Sequence, residues 1–198
     1  MRFTSLIILI IAILMTFISS FNCHNKRKTN FSPTNYDGKE LRTNFLAKEK
    51  EIMELFYFFK SIVPSENRVS IIFEGRDDEF TFAFSFIDSI SGIVKSKHGS
   101  RKVIADSEEM DSLLKLIGWN KEDFNTIKER LIAANCIGLH SGNPTQIIFG
   151  HGKPDGMSLY SYLVFGEETS DSLFNLYLNQ ESTEYFKDRV LFQYQYPF

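Results

Sequence analysis

The chain has 198 residues, of which 43% are hydrophobic and 15% aromatic, enough to form the core of one domain without metals or disulfides. Its two cysteines are too few for the disulfide framework of a small secreted scaffold. The net charge is −3, and residues 46–198 carry 16 bases against 23 acids. An acidic domain lacks the clustered bases that phosphate-backbone contacts require, so we expect no nucleic acid among its partners.

Residues 1–23 have the layout of a membrane-targeting segment. Arg2 precedes an apolar run over residues 6–18, and the small polar Ser19 and Ser20 follow that run. A short basic start, an apolar centre and a small polar end are typical of a signal peptide. The apolar run is shorter than the roughly 20 residues that a transmembrane helix needs. The sequence therefore predicts a segment that delivers the rest of the chain to a membrane.

Cys23 follows the apolar run by a few residues, and the polar tract of residues 24–28 comes directly after it. This arrangement resembles a bacterial lipoprotein signal peptide, in which the cysteine after the cleavage point receives the lipid. The resemblance covers residues 1–23 only. It implies lipid attachment at Cys23 and a membrane-anchored protein of the cell envelope. Two alternatives stay open: an uncleaved signal anchor, favoured by the bases at residues 26–28, and a cleaved, secreted protein.

Residues 24–45 are rich in Asn, Thr, Lys and Ser, carry five bases against two acids, and show no apolar period. We expect a polar basic tether that lies near anionic headgroups. Residues 46–198 then form a single domain.

The first half of the domain combines a helix with an aromatic hairpin. Apolar residues recur at three and four over residues 47–63, which predicts a helix. Residues 69–74 and 79–86 predict two strands joined by a turn at residues 75–78. The second strand alternates strictly, with Phe80, Phe82, Phe84 and Phe86 on one face. Four phenylalanines on one face have to be covered, so we expect helices or a second sheet over them.

The middle of the domain is predicted to be helical. Residues 88–105 are expected to form an exposed connection with a short strand at residues 90–94. Asp106 and Glu109 form a capping-box pattern for a helix over residues 107–117, and Gly118 closes it. Asn120 is predicted to cap a second helix over residues 121–134, whose expected inner face is Phe124, Ile127, Leu131 and Ile132.

The last third is predicted to be mostly strands. Residues 137–140 form a short strand, and residues 146–151 and 158–165 form a hairpin turned at residues 154–156. Residues 171–178 form a helix with Asp171 as its cap, and residues 189–196 form a final strand. The fold class that follows is α+β: a mostly antiparallel sheet of hairpins with helices packed on a Phe-rich face.

Three residues are the candidates for chemistry in this domain: His140, His151 and Asp155. Two imidazoles and a carboxylate suit zinc binding or acid–base catalysis. Their spacing matches no recognised ligand pattern, and Asp155 has a sufficient role in the predicted turn. The sequence thus assigns no catalytic residue, no metal ligand and no cofactor.

The leading interpretation is a membrane-tethered, non-catalytic accessory or binding module of unknown ligand. The membrane is its partner through the N-terminus, and a protein partner is expected at a sheet edge or at an open aromatic face formed by Tyr160, Tyr162, Tyr194 and Tyr196. The alternative is an envelope hydrolase or metal-binding enzyme that uses His140, His151 and Asp155. That alternative requires the three side chains to meet in one pocket.

Overall fold

Four helices and eight strands follow one another along the part of the chain that the structure describes. This computed structural model describes residues 38–64, 66–76, 79–88, 91–151 and 159–195, without the side chains of residues 74–76, 151 and 195. The helices are α1 (Lys39–Ile62), α2 (Glu108–Ile117), α3 (Lys121–Ala133) and α4 (Asp171–Leu178). The strands are β1 (Asn67–Arg76), β2 (Glu79–Ile87), β3 (Val94–Ile104), β4 (Gly138–His140), β5 (Thr145–His151), β6 (Leu159–Val164), β7 (Thr183–Lys187) and β8 (Val190–Gln195). None of these helices combines the length and the apolar character that crossing a bilayer requires.

The eight strands form one sheet in the order β3-β2-β1-β4-β5-β6-β8-β7. Every neighbouring pair is antiparallel. The predicted fold class, α+β with an antiparallel sheet of hairpins, is confirmed.

The Phe-rich face predicted on residues 79–86 is the inner face of β2. Three of its phenylalanines are buried: Phe80, Phe82 and Phe84. Helices cover them, because the ring of Phe124 in α3 lies 4.7 Å from the ring of Phe80, measured between centroids. Trp119, between α2 and α3, stacks on Phe82 at 6.0 Å. The prediction of helices packed on this face is confirmed.

Helix α1 begins at Lys39, eight residues before the predicted start at residue 47. Residues 39–45 are therefore helical, and the prediction of an irregular tether over residues 24–45 is wrong for this stretch; residues 24–37 lie outside the described residues. Leu41 and Phe45 are 0% and 1% exposed. They lie four residues apart, so both point into the core from one side of the helix. The helix changes direction at Lys48, whose φ of −129° is not helical.

Residues 94–104 form strand β3, where the sequence predicted an exposed connection. The strand alternates between half-buried Ser96, His98 and Ser100 on the inner side and exposed residues on the outer side. His98 stacks on Phe84 with 5.2 Å between ring centroids. The position of Gly99 has φ 145°, and a Cβ there would meet the Cα of Ala83 at 2.5 Å. Glycine is thus needed for β3 to approach β2 this closely.

The helix caps differ in detail from the sequence predictions. Ser107, rather than Asp106, caps α2, because its hydroxyl accepts from the Met110 amide at 3.1 Å. Ser170, rather than Asp171, caps α4. Asn120 caps α3 as predicted, and the left-handed Gly118 ends α2 as predicted. Ile132 was expected on the inner face of α3 but is 67% exposed.

The last third follows the prediction closely. Strand β4, the hairpin of β5 and β6, helix α4 and strand β8 lie within one or two residues of their predicted bounds. The turn predicted at residues 154–156 lies outside the described residues. Strand β7 is additional, since residues 183–187 carried no strand prediction.

Helix α4 packs on the opposite face of the sheet from α1 and α3. The cluster it covers contains Leu163, Phe165 and Leu191 from the sheet side and Phe174, Tyr177 and Leu178 from the helix.

Directly opposed residues in an antiparallel pair point to the same face. Leu163 opposes Gln146, which opposes His140, so His140 lies on this second face. The second face is thus covered at β6 and β8, and its part over β1, β2 and β3 carries the exposed Arg68 and Lys97.

Candidate functional site

Two rows of side chains cross the uncovered part of the second face. In the first row, Ser70 of β1 opposes Ala83 of β2 on one side and His140 of β4 on the other. In the second row, Ser85 of β2 opposes Arg68 on β1. Ser85 also opposes Lys97 on β3. Small side chains therefore form the floor, and longer basic side chains stand around it.

The floor of small side chains leaves a concave surface, here called the sheet groove. One part, of about 240 Å³, lies over the two rows between Lys97 and His140. A second part, of about 310 Å³, extends over residues 141–144 towards Tyr177 of α4. The two parts share Arg68, His140 and Ser141 and so adjoin one another.

The charge of the sheet groove is opposite to that of the domain. Its lining contains Arg68 and Lys97 and, among the described residues, no aspartate or glutamate. Residues 46–198 as a whole carry 16 bases against 23 acids. Neither Arg68 nor Lys97 forms an ion pair with a described residue. The groove is thus a positive region that the carboxylates of the described residues leave uncompensated.

Hydrogen bonds fix the polar wall of the groove. The Ser141 hydroxyl accepts from the Val69 amide at 2.7 Å, and the Ser141 amide donates to the Val69 carbonyl at 2.7 Å. The Gln146 side chain donates to the Ser161 hydroxyl at 2.9 Å and to the side-chain oxygen of Gln193 at 3.1 Å. These side chains are held in place and need no rearrangement to present a defined surface.

His140 lies between the two parts of the groove and is half-buried. Burial lowers its pKa from the ordinary value of 6.5, because a charged imidazole is less well solvated there. The ring is therefore neutral at pH 7, where it can both donate and accept a hydrogen bond.

The three predicted chemical residues are not brought together in the described structure. His140 opposes Gln146, whereas His151 lies five residues further along β5, opposite Leu159. At about 3.3 Å per residue along the strand and about 4.8 Å between strands, the backbones of the two histidines lie about 17 Å apart. Asp155 lies outside the described residues. No group of three His, Cys, Asp or Glu side chains suited to a metal ion occurs within the described ranges.

The open aromatic face expected from four tyrosines is not formed by the three of them that the structure describes. Tyr160, Tyr162 and Tyr194 are buried, and burial is the main cause that raises the pKa of Tyr162 and of Tyr194. Tyr196 and Cys23 lie outside the described residues, so lipid attachment at Cys23 stays a prediction.

Strand β3 is one edge of the sheet, and strand β7 is the other. The outer side chains of β3 include three exposed bases without an ion pair to a described residue: Lys97, Arg101 and Lys102. Strand β3 contains no acid. The charges of β7 are used within the domain, because Glu184 lies 2.5 Å from Arg42 and Lys187 lies 2.6 Å from Glu49. The edge of β3 therefore presents bases to a partner, whereas the charged side chains of β7 are paired within the domain.

Sequence reasoning gave no role to Arg68, Lys97 or the edge of β3. A signal existed in the small outward residues Ala83 and Ser85 of the alternating strand, which leave room above them. The register that sets Arg68 and Lys97 on either side of Ser85 cannot be seen in the sequence.

Comparison of the chain with protein-family models, with curated proteins and with solved structures yields no match.

Proposed function

We propose that this chain is a membrane-tethered, non-catalytic binding module whose domain takes an extended acidic segment of a protein partner along the edge of β3. The observation that carries the proposal is an edge strand of 11 residues with four bases and no acid, in a domain with an excess of acids. The membrane part rests on the sequence of residues 1–28, which lie outside the described residues.

The backbone of an edge strand supports strand addition. Each edge presents a row of amide and carbonyl groups that a further strand can pair with. An added strand gains affinity from main-chain hydrogen bonds and specificity from alternate side chains. Strand β3 is about twice as long as β7, which has five residues. The longer edge offers more hydrogen bonds to a partner.

The charges of β3 support an acidic occupant. Lys97, Arg101 and Lys102 repel a second copy of the same edge, which disfavours self-association. The same charges attract a strand that carries Asp or Glu at alternate positions. Exposed apolar residues stand at both ends of the strand, namely Ile93, Val94 and Ile104. A partner segment with apolar ends and an acidic centre therefore fits this edge.

The experiment uses the full chain and a short peptide that alternates Glu with Val, with a peptide that alternates Lys with Val as its counterpart. We expect the acidic peptide to slow amide hydrogen exchange in residues 94–104 and the lysine peptide to leave it unchanged. Double substitution Lys97→Glu and Arg101→Glu weakens binding at least tenfold, or about 1.4 kcal/mol. Lys115→Glu, an exposed base on α2, is the matched control and leaves binding unchanged.

A photo-crosslinking amino acid at position 101 of the membrane-bound chain then identifies the natural partner. The same amino acid at position 115 is the control for chance collisions. Equal slowing of amide exchange in residues 94–104 by both peptides contradicts the proposal. Slowing that is confined to residues outside β3 also contradicts it.

A further inference from the structure

We infer that the sheet groove binds a phosphate monoester, held between Arg68 and Lys97 above Ser85. This site goes beyond the proposed edge function, since it lies on the face of the sheet and takes a small ligand.

The arrangement of the two cations carries the inference. Arg68 and Lys97 oppose Ser85 from neighbouring strands on either side. Strands lie about 4.8 Å apart, so the two basic residues start about 10 Å apart with one small residue between them. Long side chains from both sides can therefore contact one group that sits over Ser85. Guanidinium binds phosphate oxygens in a bidentate manner, and ammonium adds a point charge.

The absence of acids from the described lining decides the sign of the ligand's charge. Two cations face the groove and no described carboxylate balances them. A phosphate monoester carries a charge between −1.5 and −2 at pH 7 and so matches two cations, whereas a carboxylate matches one. The charge of the site thus favours a phosphate over a carboxylate.

The neutral donors of the groove suit the remaining phosphate oxygens. The Ser70 and Ser85 hydroxyls lie in the two rows of the floor and make no hydrogen bond to a described residue. His140 lies in the first row beside Ser70, on the side away from Ala83. The second part of the groove, of about 310 Å³ and lined by Gln146, Gln193 and Tyr177, gives room for the organic part of the ligand.

The first test measures binding of inorganic phosphate, phenyl phosphate and benzoate to the full chain by calorimetry. We expect phenyl phosphate to bind at least tenfold more tightly than benzoate, which has the same ring and one charge. Arg68→Gln weakens phenyl phosphate binding at least tenfold, and Lys115→Gln leaves it within twofold. Both side chains are exposed, so an unchanged thermal unfolding midpoint shows that each variant folds.

Equal binding of benzoate and phenyl phosphate overturns the assignment of a phosphate. Undiminished binding to Arg68→Gln overturns the site. Arg101→Glu separates the two proposals, because it weakens the acidic peptide at the β3 edge and leaves phenyl phosphate binding intact. Loss of both ligands in Arg101→Glu overturns the groove as a site of its own.

A competition experiment finds the source of the phosphate. The chain is reconstituted in phosphatidylcholine vesicles with or without phosphatidic acid, whose headgroup is a phosphate monoester. A weaker apparent affinity for phenyl phosphate in the phosphatidic acid vesicles supports the site with a lipid headgroup as its ligand. Equal affinity in both vesicles supports it with a soluble phosphate monoester.

Discussion

The hydroxyl of Tyr162 in β6 donates a 3.0 Å hydrogen bond to the main-chain carbonyl of Leu41 in the first turn of α1. It also accepts a 3.0 Å hydrogen bond from the Asn44 side chain. The same asparagine donates to the Ala134 carbonyl at 3.2 Å and accepts from Asn135 at 2.9 Å. A buried polar network therefore fixes the start of α1 to the sheet and to the end of α3.

Tyr162→Phe is expected to lower the free energy of unfolding by about 1–3 kcal/mol. The change keeps the ring and removes the hydroxyl, so the buried Asn44 amide and Leu41 carbonyl each lose a partner. Urea unfolding followed by the fluorescence of Trp119, which is buried, measures the effect. Tyr57→Phe is the matched control, because Tyr57 is 59% exposed, and it should change stability by less than about 0.5 kcal/mol. Equal effects of the two changes would contradict the role of the network.

Phe45→Ala tests whether residues 39–45 belong to the domain. The Phe45 ring contacts Tyr162 at 5.3 Å and Phe186 at 5.1 Å between centroids. We expect a loss of about 3–5 kcal/mol, since truncation of a buried ring leaves a cavity. Leu46→Ala, one residue on and 64% exposed, should cost less than about 0.5 kcal/mol. Similar small losses of stability at both positions would show that residues 39–45 belong to the tether and not to the domain.

His140→Gln is expected to make stability less dependent on pH. Burial lowers the pKa of His140 in the folded chain below 6.5, so between these two values the unfolded chain binds more protons. Stability therefore rises with pH through this window and is lost on acidification. The wild type should lose more free energy of unfolding than His140→Gln between pH 7 and pH 5. Parallel pH profiles would show that His140 titrates alike in both states.

Cys23 is expected to take up a palmitate analogue in cells that process bacterial lipoproteins. The other cysteine gives no background, because Cys136 is 7% exposed and burial raises the pKa of its thiol to about 12. Cys23→Ala should abolish the label, and Cys136→Ala should keep it. Persistence of the label in Cys23→Ala would reject lipid attachment at this residue.

The elements that the sequence predicts well are those in which apolar residues recur at a regular spacing. The alternation of Phe80, Phe82 and Phe84 sets β2 and its inner face, and the spacing of Phe124, Ile127 and Leu131 sets α3. Ile132 is adjacent to Leu131, and neighbouring helix positions are about 100° apart, so only one of them can face the sheet. The structure buries Leu131 and exposes Ile132.

Elements without a regular spacing of apolar residues are not predicted from the sequence. Strand β3 alternates Ser and His with Lys, so neither of its faces is apolar enough to indicate a strand. The second turn of α1 contains Asn44, a residue type that is common in linkers, and its hydrogen bonds to Tyr162 and Ala134 cannot be read from the sequence. The sheet groove depends on the registers between β1, β2, β3 and β4. The sequence contains His140 but does not show which residues of the other strands lie beside it.

The order of the strands also bears on how the chain assembles. Five of the seven neighbouring pairs in the sheet join strands that are consecutive in the chain. Such pairs close short loops at a small cost in chain entropy, and they can form before distant segments meet. The meander β1-β2-β3 can thus pair without the rest of the chain, and the three-residue contact between β1 and β4 joins it to the other five strands. The sheet groove lies across that junction, so a molecule bound there contacts both parts of the sheet and adds to the few contacts that join them.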